Sequence, residues 1–324
     1  MTGSERGGEH SSRGRVIVTG GTGLIGRPLV AALAAAGHEV VVLSRAPVRA
    51  SGLPAGARAE AWDAATPAGW GDLADGALAI VHLAGESLAR WPWTAARKER
   101  ILASRVRSTR AVAAAIAAAA RPPAALLQAS GISVYGDAGD RVLDETAPPG
   151  EGFLPEVVLA WEGASAGVEE RGVRRVLLRT GVVLAAHGGA LPKMALPFRL
   201  FAGGPVGGGG QWLPWIHLAD QVAAVRYLLD HPAAAGVFHL TAPSPVTNAE
   251  LSRRLADALG RPGFVRVPAA AARLALGEMS VTVLASVRAV PARLAALGFR
   301  FRFPTLESAL ADLYGRRSPT PSRR

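Results

Sequence analysis

No cysteine occurs anywhere in the sequence. That excludes a disulfide scaffold, a thiolate nucleophile and any zinc or iron–sulfur centre held by Cys, and no metal site is expected. Lysine is almost as scarce, with Lys98 and Lys193 the only two. No uninterrupted apolar run reaches the roughly 20 residues that a membrane-spanning helix needs, so no membrane partner is expected. The opening residues MTGSERGGEHSSRGR are polar, rich in Gly and Ser, and carry no apolar secretory core. A disordered leader over residues 1–14 and a cytoplasmic location are the expectations.

What is abundant is arginine, which dominates a formal net charge of +11. The excess is spread along the chain, and part of it sits in the tail GRRSPTPSRR, read as disordered over 315–324. No basic run is interleaved with aromatic residues and no helix carries an Arg stripe, so nucleic acid is not an expected partner. Nearly half of the 324 residues are hydrophobic, at 49%. That is enough for a sizeable core in one large domain, or in one domain with a cap.

The first half alternates strand and helix. RVIVTG reads as a short buried strand, LIGRPLVAALAAAG as a helix closed by Gly37, and HEVVVLSR and ALAIVHLAG as further strands. A long helix follows over 94–120, with Thr94 as its N-cap, and then the strands AALLQAS and RRVLLRTGVVL. This alternation predicts an α/β fold, a doubly wound parallel Rossmann sheet with helices on both faces. After residue 184 the chain becomes rich in Gly, Pro and aromatics. HLADQVAAVRYLLD then reads as a helix, GVFHLTA as a strand, and TNAELSRRLADALG as a helix with a Thr247–Glu250 capping box. The sheet domain is assigned to 15–183 with returns at about 217–242. A smaller C-terminal α/β cap lobe is assigned to 184–216 and 243–314. A monomer or a homodimer is expected.

The stretch VTGGTGLIG sets Gly20, Gly23 and Gly26 between an apolar strand and an amphipathic helix. In that context it reads as a dinucleotide-binding loop. Gly20 permits the tight turn, Gly23 lets backbone approach a pyrophosphate, and Gly26 lets the helix pack on the sheet. The helix N-terminus offers N–H groups to phosphates. An acidic residue after the second strand would take a ribose 2′-hydroxyl, but the chain has Ser44 and Arg45 there. A guanidinium pairs with a 2′-phosphate, so NADP(H) is expected as cofactor over NAD(H), with Arg49 as a further contributor. The alternative is that Arg45 is a solvated residue at the sheet edge.

These residues together resemble the extended short-chain dehydrogenase/reductase superfamily. VTGGTGLIG is similar to its cofactor loop, HLAG at 82–85 to the turn after its fourth strand, and WIHLADQVAAV to its late strand-to-helix turn. Longer stretches resemble the atypical branch labelled nucleoside-diphosphate-sugar epimerase-like, which carries a characteristic C-terminal segment. They are HLAGESLARWPWTAARKERILASRVRSTRAV, LLRTGVVL, LPFRLFAGGPVGGGGQWLPWIHLAD and ALGFRFRFPTLESALADL. The resemblance covers about residues 15–314. It implies cofactor contacts from Gly20, Thr22, Gly23, Leu24, Ile25 and Gly26, from Ser44 and Arg45, and from Leu83, Ala84 and Gly85. It also implies that Glu99 and Arg105 face the cofactor and that Ser130 and Val183 close its nicotinamide end. By spacing alone, Glu99 and Arg105 read as a solvated helix face.

The superfamily pattern brings in one further absence. Its usual relay is a Ser or Thr, a Tyr, and a Lys four residues after the Tyr, in which the Lys lowers the Tyr pKa and the Tyr exchanges a proton with substrate. Aligned on SVYG, the Ser/Thr position is Gly131, flanked by Ser130 and Ser133. Aligned on Glu162, the Tyr position is Leu154 and the Lys position Val158. No Tyr-x-x-x-Lys occurs in any register. Tyr135 is the best relocated acid/base, with Ser130 and Ser133 beside it and Lys193 and His217 as others. Tyr135 also reads as the packed aromatic of a turn, and His217 as a structural hydrogen-bonding residue. Trp161, Lys193, Trp215 and His217 are expected to line a cleft with Tyr135, near Trp212, Phe198 and Phe201. Aromatic walls suit a sugar face, a ring or a flat acyl group. The expected function is an NADP(H)-dependent oxidoreductase or epimerase acting on a small, nucleotide-sugar-like molecule. The alternatives are a non-catalytic NADP(H) sensor or scaffold, and an enzyme whose proton comes from water or substrate.

Overall fold

A computed structural model describes residues 13–315 of the chain. The expected leader and basic tail lie outside these residues, apart from their innermost positions. Seven strands build the main sheet: β1 (Arg15–Thr19), β2 (Glu39–Ser44), β3 (Ala57–Ala61), β4 (Ala79–His82), β5 (Ala125–Gly131), β6 (Arg174–Thr180) and β7 (Gly236–Leu240). Their order is β7-β6-β5-β4-β1-β2-β3, and the pairs β1–β2, β1–β4, β2–β3, β4–β5 and β6–β7 are parallel. This is the predicted doubly wound α/β sheet. The strand order reverses at β1, and ligands of open α/β sheets bind outside the carboxyl ends of the strands at such a point.

Three of the central strands, β1, β2 and β4, are apolar because both faces are covered. Val16, Ile17, Val18, Val40, Val41, Val42, Ile80 and Val81 are all fully buried. The expected helices are α1 (Gly26–Ala35), α2 (Ala95–Ala118), α5 (Leu218–Asp230) and α6 (Asn248–Leu259), and α3 (Phe153–Gly163) is formed by the stretch EGFLPEVVLAWEGAS, whose apolar residues recur at helical spacing. Helix α1 ends where Gly37 takes a positive φ of 88° and the His38 amide returns to Leu33 O. Thr94 caps α2 by accepting from the Arg97 amide at 3.2 Å. Thr247 accepts from the Glu250 amide at 3.2 Å, as its capping motif predicts.

Three features depart from the sequence reading. Strand β3, ARAEA, was not anticipated: it is a half-exposed edge strand, short of the apolar residues that mark buried ones. RRVLLRTGVVL is two strands. They are separated at Gly181, where a Cβ would lie 2.7 Å from Pro214 O. The second piece, Val182–Leu184, pairs with Trp215–His217 instead of extending the sheet. Finally, the Gly- and Pro-rich stretch after residue 184 contains a helix, α4 (Leu191–Arg199).

The described residues divide into two compact units. One holds the residues up to Gly85 with Arg107–Gln128 and Ala164–Arg175. Its core includes Ile17, Leu43, Ile80, Ile116 and Leu126, together with an edge-to-face pair of Trp62 and Trp70. The other holds Glu86–Val106, Ala129–Gly163 and the residues from Val176 onward. Within it, α4, α6 and the C-terminal helix Leu306–Tyr314 share a core with Leu184 and Trp215.

Candidate functional site

The glycine loop between β1 and α1 is shaped by backbone contact. Gly20 has a φ of +68°, and a Cβ there would lie 3.0 Å from the Leu83 carbonyl. Its own carbonyl accepts from the Gly23 amide at 2.9 Å, which closes the turn. Gly26 is the tightest point, since a Cβ would come within 2.2 Å of Gly20 O. At Gly23 an added Cβ would meet only Gly20 O, at 3.2 Å. The loop is thus packed tightly beneath Gly20 and Gly26 and much less so at Gly23. Helix α1 starts with no side-chain cap and no acidic residue in its first turn. Leading N–H groups left without a side-chain acceptor, with the positive end of the helix dipole, favour an anion. These residues fit a dinucleotide pyrophosphate.

A polar lattice that the sequence reading did not identify holds the neighbouring turn. Thr19 ends β1, His82 ends β4, and the two are register partners. Thr19 Oγ1 accepts from the amides of Leu83 and Ala84, each at 3.1 Å. With both lone pairs used, its one proton points at His82 Nδ1, 2.7 Å away. His82 is fully buried, and burial pushes its pKa down to about 3. The ring is therefore neutral, with Nδ1 accepting and Nε2 carrying the proton toward Thr109 Oγ1 at 3.0 Å and Ser108 Oγ at 3.3 Å. The lattice pins Leu83 and Ala84 against the loop. The signal in the sequence was a polar residue closing each of two otherwise apolar strands.

At the end of β2, Ser44 Oγ accepts from the Ala46 amide at 3.2 Å, and Arg45 is exposed. No acidic residue occupies Ser44 or the residues up to Gly56. A 2′-phosphate fits this position better than a ribose hydroxyl that seeks an acceptor. Thr22 and Gly23 are exposed, Leu24 and Ile25 half-buried, and Gly85 exposed.

In the second unit, helix α3 carries Leu154 and Val158 at the positions where the relay would place Tyr and Lys. Both are buried, in two hydrophobic clusters. The buried carboxylate of α3 is Glu162, which receives a bidentate pair from Arg179 of β6, Nε and Nη2 each at 2.9 Å. Ser130 Oγ donates to the same carboxylate at 2.5 Å. Arg179 Nη1 donates to the Tyr135 hydroxyl at 3.0 Å. Burial works against the Arg179 charge, but the bonds to Glu162 outweigh it and raise its pKa.

Tyr135 does not lie open to a cleft. It is 2% exposed, and its hydroxyl is 2.6 Å from His239 Nε2. His239 Nδ1 is 2.9 Å from Val290 O, which can only accept, so Nδ1 carries the proton. Burial lowers the His239 pKa and keeps the ring neutral. Nε2 is then an acceptor facing Tyr135, and burial raises the Tyr135 pKa. The hydroxyl proton has two acceptors within reach, His239 Nε2 and the Asp144 carbonyl at 3.1 Å, so Tyr135 sits in a closed polar network. Ser133 is half-buried in the 3₁₀ turn Ile132–Tyr135.

The remaining expected residues are carried by different elements. Trp215 is fully buried, and its Nε1 donates to Ser244 O at 3.1 Å, so it is a core side chain rather than a cleft wall. His217 caps α5, Nδ1 accepting from the Ala219 amide at 3.1 Å, and its Nε2 lies 3.4 Å from Asp312 Oδ2. Lys193 is exposed on α4 and donates to Ala89 O at 3.1 Å. Val183 is half-buried in its short strand and is the register partner of Ile216. Glu99 is exposed on α2, whereas Arg105 of the same helix is buried, its guanidinium 5.0 Å from the Trp161 ring centroid. Burial brings the Arg105 pKa down to about 10.

Comparison with known proteins adds the following. A family profile described as the NAD dependent epimerase/dehydratase family matches residues 16–240, and a domain of unknown function (DUF1731) matches residues 267–313. The Bos taurus epimerase family protein SDR39U1 is 39% identical over 304 residues, covering 92% of this chain and 99% of that protein. The crystal structure of human epimerase family protein SDR39U1 (isoform 2) with NADPH is 34% identical, with a TM-score of 0.81, covering 93% of this chain and 99% of that one. The crystal structure of the nucleoside-diphosphate sugar epimerase from Corynebacterium glutamicum is also 34% identical, with a TM-score of 0.76. It covers 94% of this chain and 59% of that one.

Proposed function

Because the chain belongs to the NAD dependent epimerase/dehydratase family, we propose that it binds NADP(H) and acts as an oxidoreductase or epimerase on a small, nucleotide-sugar-like molecule. The observation that carries this reading is the uncapped start of α1 above the glycine turn, with Arg45 and no carboxylate at the end of β2. The human relative crystallised with NADPH supports the choice of dinucleotide. The name of the Corynebacterium relative supports the substrate class.

The proposed contacts follow from the geometry of the first unit. Leu24, Ile25 and Gly26 receive the pyrophosphate on backbone N–H groups, and Gly23, without a side chain, lets it approach. Arg45 holds the 2′-phosphate with a charge-assisted bond, and Ser44 lies beside it. Leu83, Ala84 and Gly85 run along the riboses, held by Thr19 and, through it, His82. NADP(H), when bound, supplies hydride exchange. Binding and orientation are the work of this chain's own residues, and the proton has to come from a group other than a Tyr–Lys pair.

A second reading, an NADP(H) sensor without turnover, is supported by one observation. The relay positions Leu154 and Val158 are buried and apolar, and Tyr135 is closed into its own network. Two measurements separate the readings. Titration of apo protein should give NADPH an affinity about tenfold or more above NADH, since one charge-assisted bond contributes on the order of 1.5–3 kcal/mol. Arg45→Ala should erase that preference, and equal affinities for the two nucleotides would refute the Arg45 assignment. Incubation with a panel of sugar nucleotides should either consume NADPH, for a net reduction, or, with the oxidised cofactor bound, invert a sugar carbon with no net change in cofactor. A complex that does neither would favour the sensor.

A further inference from the structure

Charge is distributed unevenly along the chain. No Asp or Glu occurs between Glu170 and Asp220, nor between Asp257 and Glu278. The second unit brings parts of these two acid-free stretches side by side. Val265 N donates to Gly203 O at 3.1 Å, and Val267 N donates to Pro205 O at 3.0 Å. The Arg261 guanidinium lies 4.9 Å from the Phe201 ring centroid.

The surface so formed is apolar where a solvated surface would be polar. Phe264 is 77% exposed, Leu200 67%, Phe201 61% and Leu196 53%. Exposed Arg199, Arg261 and Arg266 belong to the same segments. Phe201 is also strained. It follows α4 in the left-handed region, with φ +60°. Its amide returns to Phe198 O and the Ala202 amide to Pro197 O, each at 2.9 Å. That is a Schellman stop, whose left-handed position ordinarily takes Gly. Here the position presents a phenyl ring to solvent, at a cost in stability that burial of the ring does not repay.

We propose that this face is a docking surface for an anionic lipid bilayer, with Phe201, Phe264, Leu196 and Leu200 entering the interface and Arg199, Arg261 and Arg266 meeting headgroups. The combination of exposed aromatic and aliphatic side chains with three arginines, against one exposed acid close in sequence, Asp257, is the chemistry of interfacial binding. A second copy of this chain fits less well, because a twofold contact sets the same surface against itself and would oppose arginine to arginine. Nucleic acid would use the arginines and rings but offers nothing to Leu196 and Leu200. The surface is peripheral, so the proposal asks for no spanning helix. Among the described residues no helix is long and apolar enough to cross a membrane. The proposal is independent of the nucleotide reading.

The test is co-flotation of the full chain with vesicles of phosphatidylcholine alone or with a minority of phosphatidylglycerol. Binding should need the anionic lipid and weaken as salt is raised. The double variant Phe201→Gly/Phe264→Ser should reduce it by about tenfold or more. Phe201→Gly removes the ring while relieving the left-handed strain, so that single variant should melt no lower than the parent and remain informative if the double variant folds poorly. Equal recovery with both vesicle types, or full binding by the variants, would overturn the proposal. So would a dimer in light scattering that the variants dissociate, or a single-stranded oligonucleotide that outcompetes the vesicles.

Discussion

Tyr135 shows how neighbours decide what a side chain can do. A tyrosine next to Ser130 and Ser133 has the composition of a catalytic group. In the fold its oxygen accepts from Arg179, and its proton faces His239 Nε2 and the Asp144 carbonyl. Tyr135→Phe therefore leaves a buried guanidinium N–H and a buried imidazole nitrogen each short of a partner. The variant should lose about 1–3 kcal/mol of stability, measured by denaturant unfolding, while its NADPH affinity stays at the parent value. Any turnover should be spared the fall of about 10²-fold or more that accompanies removal of a general acid or base. A fall of that size with an unchanged unfolding midpoint would restore Tyr135 as a proton donor. Arg45 is the opposite case. It is exposed, its meaning depends on its place just past β2, and the sequence alone was enough to single it out.

The element that matters most is the loop and first turn of α1. Two of its glycines make different demands. At Gly26 an added Cβ would strike the Gly20 carbonyl and Gly21 Cα, at 2.2 and 2.6 Å, and neither can move without moving the loop. At Gly37, past the end of α1, a Cβ meets nothing within 4 Å, and only the φ of +88° resists it. Gly26→Ala should weaken NADPH binding by about tenfold or more and destabilise the fold by about 1–3 kcal/mol. Gly37→Ala should cost about 1 kcal/mol of left-handed strain and leave nucleotide affinity unchanged. Calorimetric titration of both variants with thermal melting separates the two effects. If the variants lost affinity equally, the loop would not be the phosphate site.

For the molecule as a whole, acid is the informative variable. His82 has a folded pKa of about 3 against an ordinary 6.5. Below 6.5 the unfolded chain binds a proton there that the folded chain refuses, so this stabilisation is complete above pH 6.5 and drains away as pH falls toward 3. The slope is on the order of 1.4 kcal/mol per pH unit, or about 2 kcal/mol between pH 6.5 and 5. Burial lowers His217 and His239 in the same direction. Denaturant unfolding across this range should show stability flat above neutrality and falling below pH 6.5. His82→Gln should be less stable at neutral pH and flatter in acid. A parent whose stability did not fall over that window would contradict a neutral, fully buried His82.

Local patterns carried the alternation of strands and helices, the glycine loop, and the Thr94 and Thr247 caps. Each depends on residues a few positions apart, and periodicity and turn chemistry report on that range. The lack of any Tyr-x-x-x-Lys was equally legible, because it is a statement about spacing. The polar networks were not. Thr19 and His82 are 63 residues apart, His82 and Thr109 27, and Tyr135 and His239 104. The order of strands in the sheet brings such pairs together, and nothing within the span of one helix or strand specifies that order. Trp215 read as a cleft wall because aromatic, Gly-rich stretches serve pockets and cores alike. It is buried in a strand that pairs with Val182–Leu184, a partner more than thirty residues away in sequence, and a pairing over that distance is not written in either local stretch.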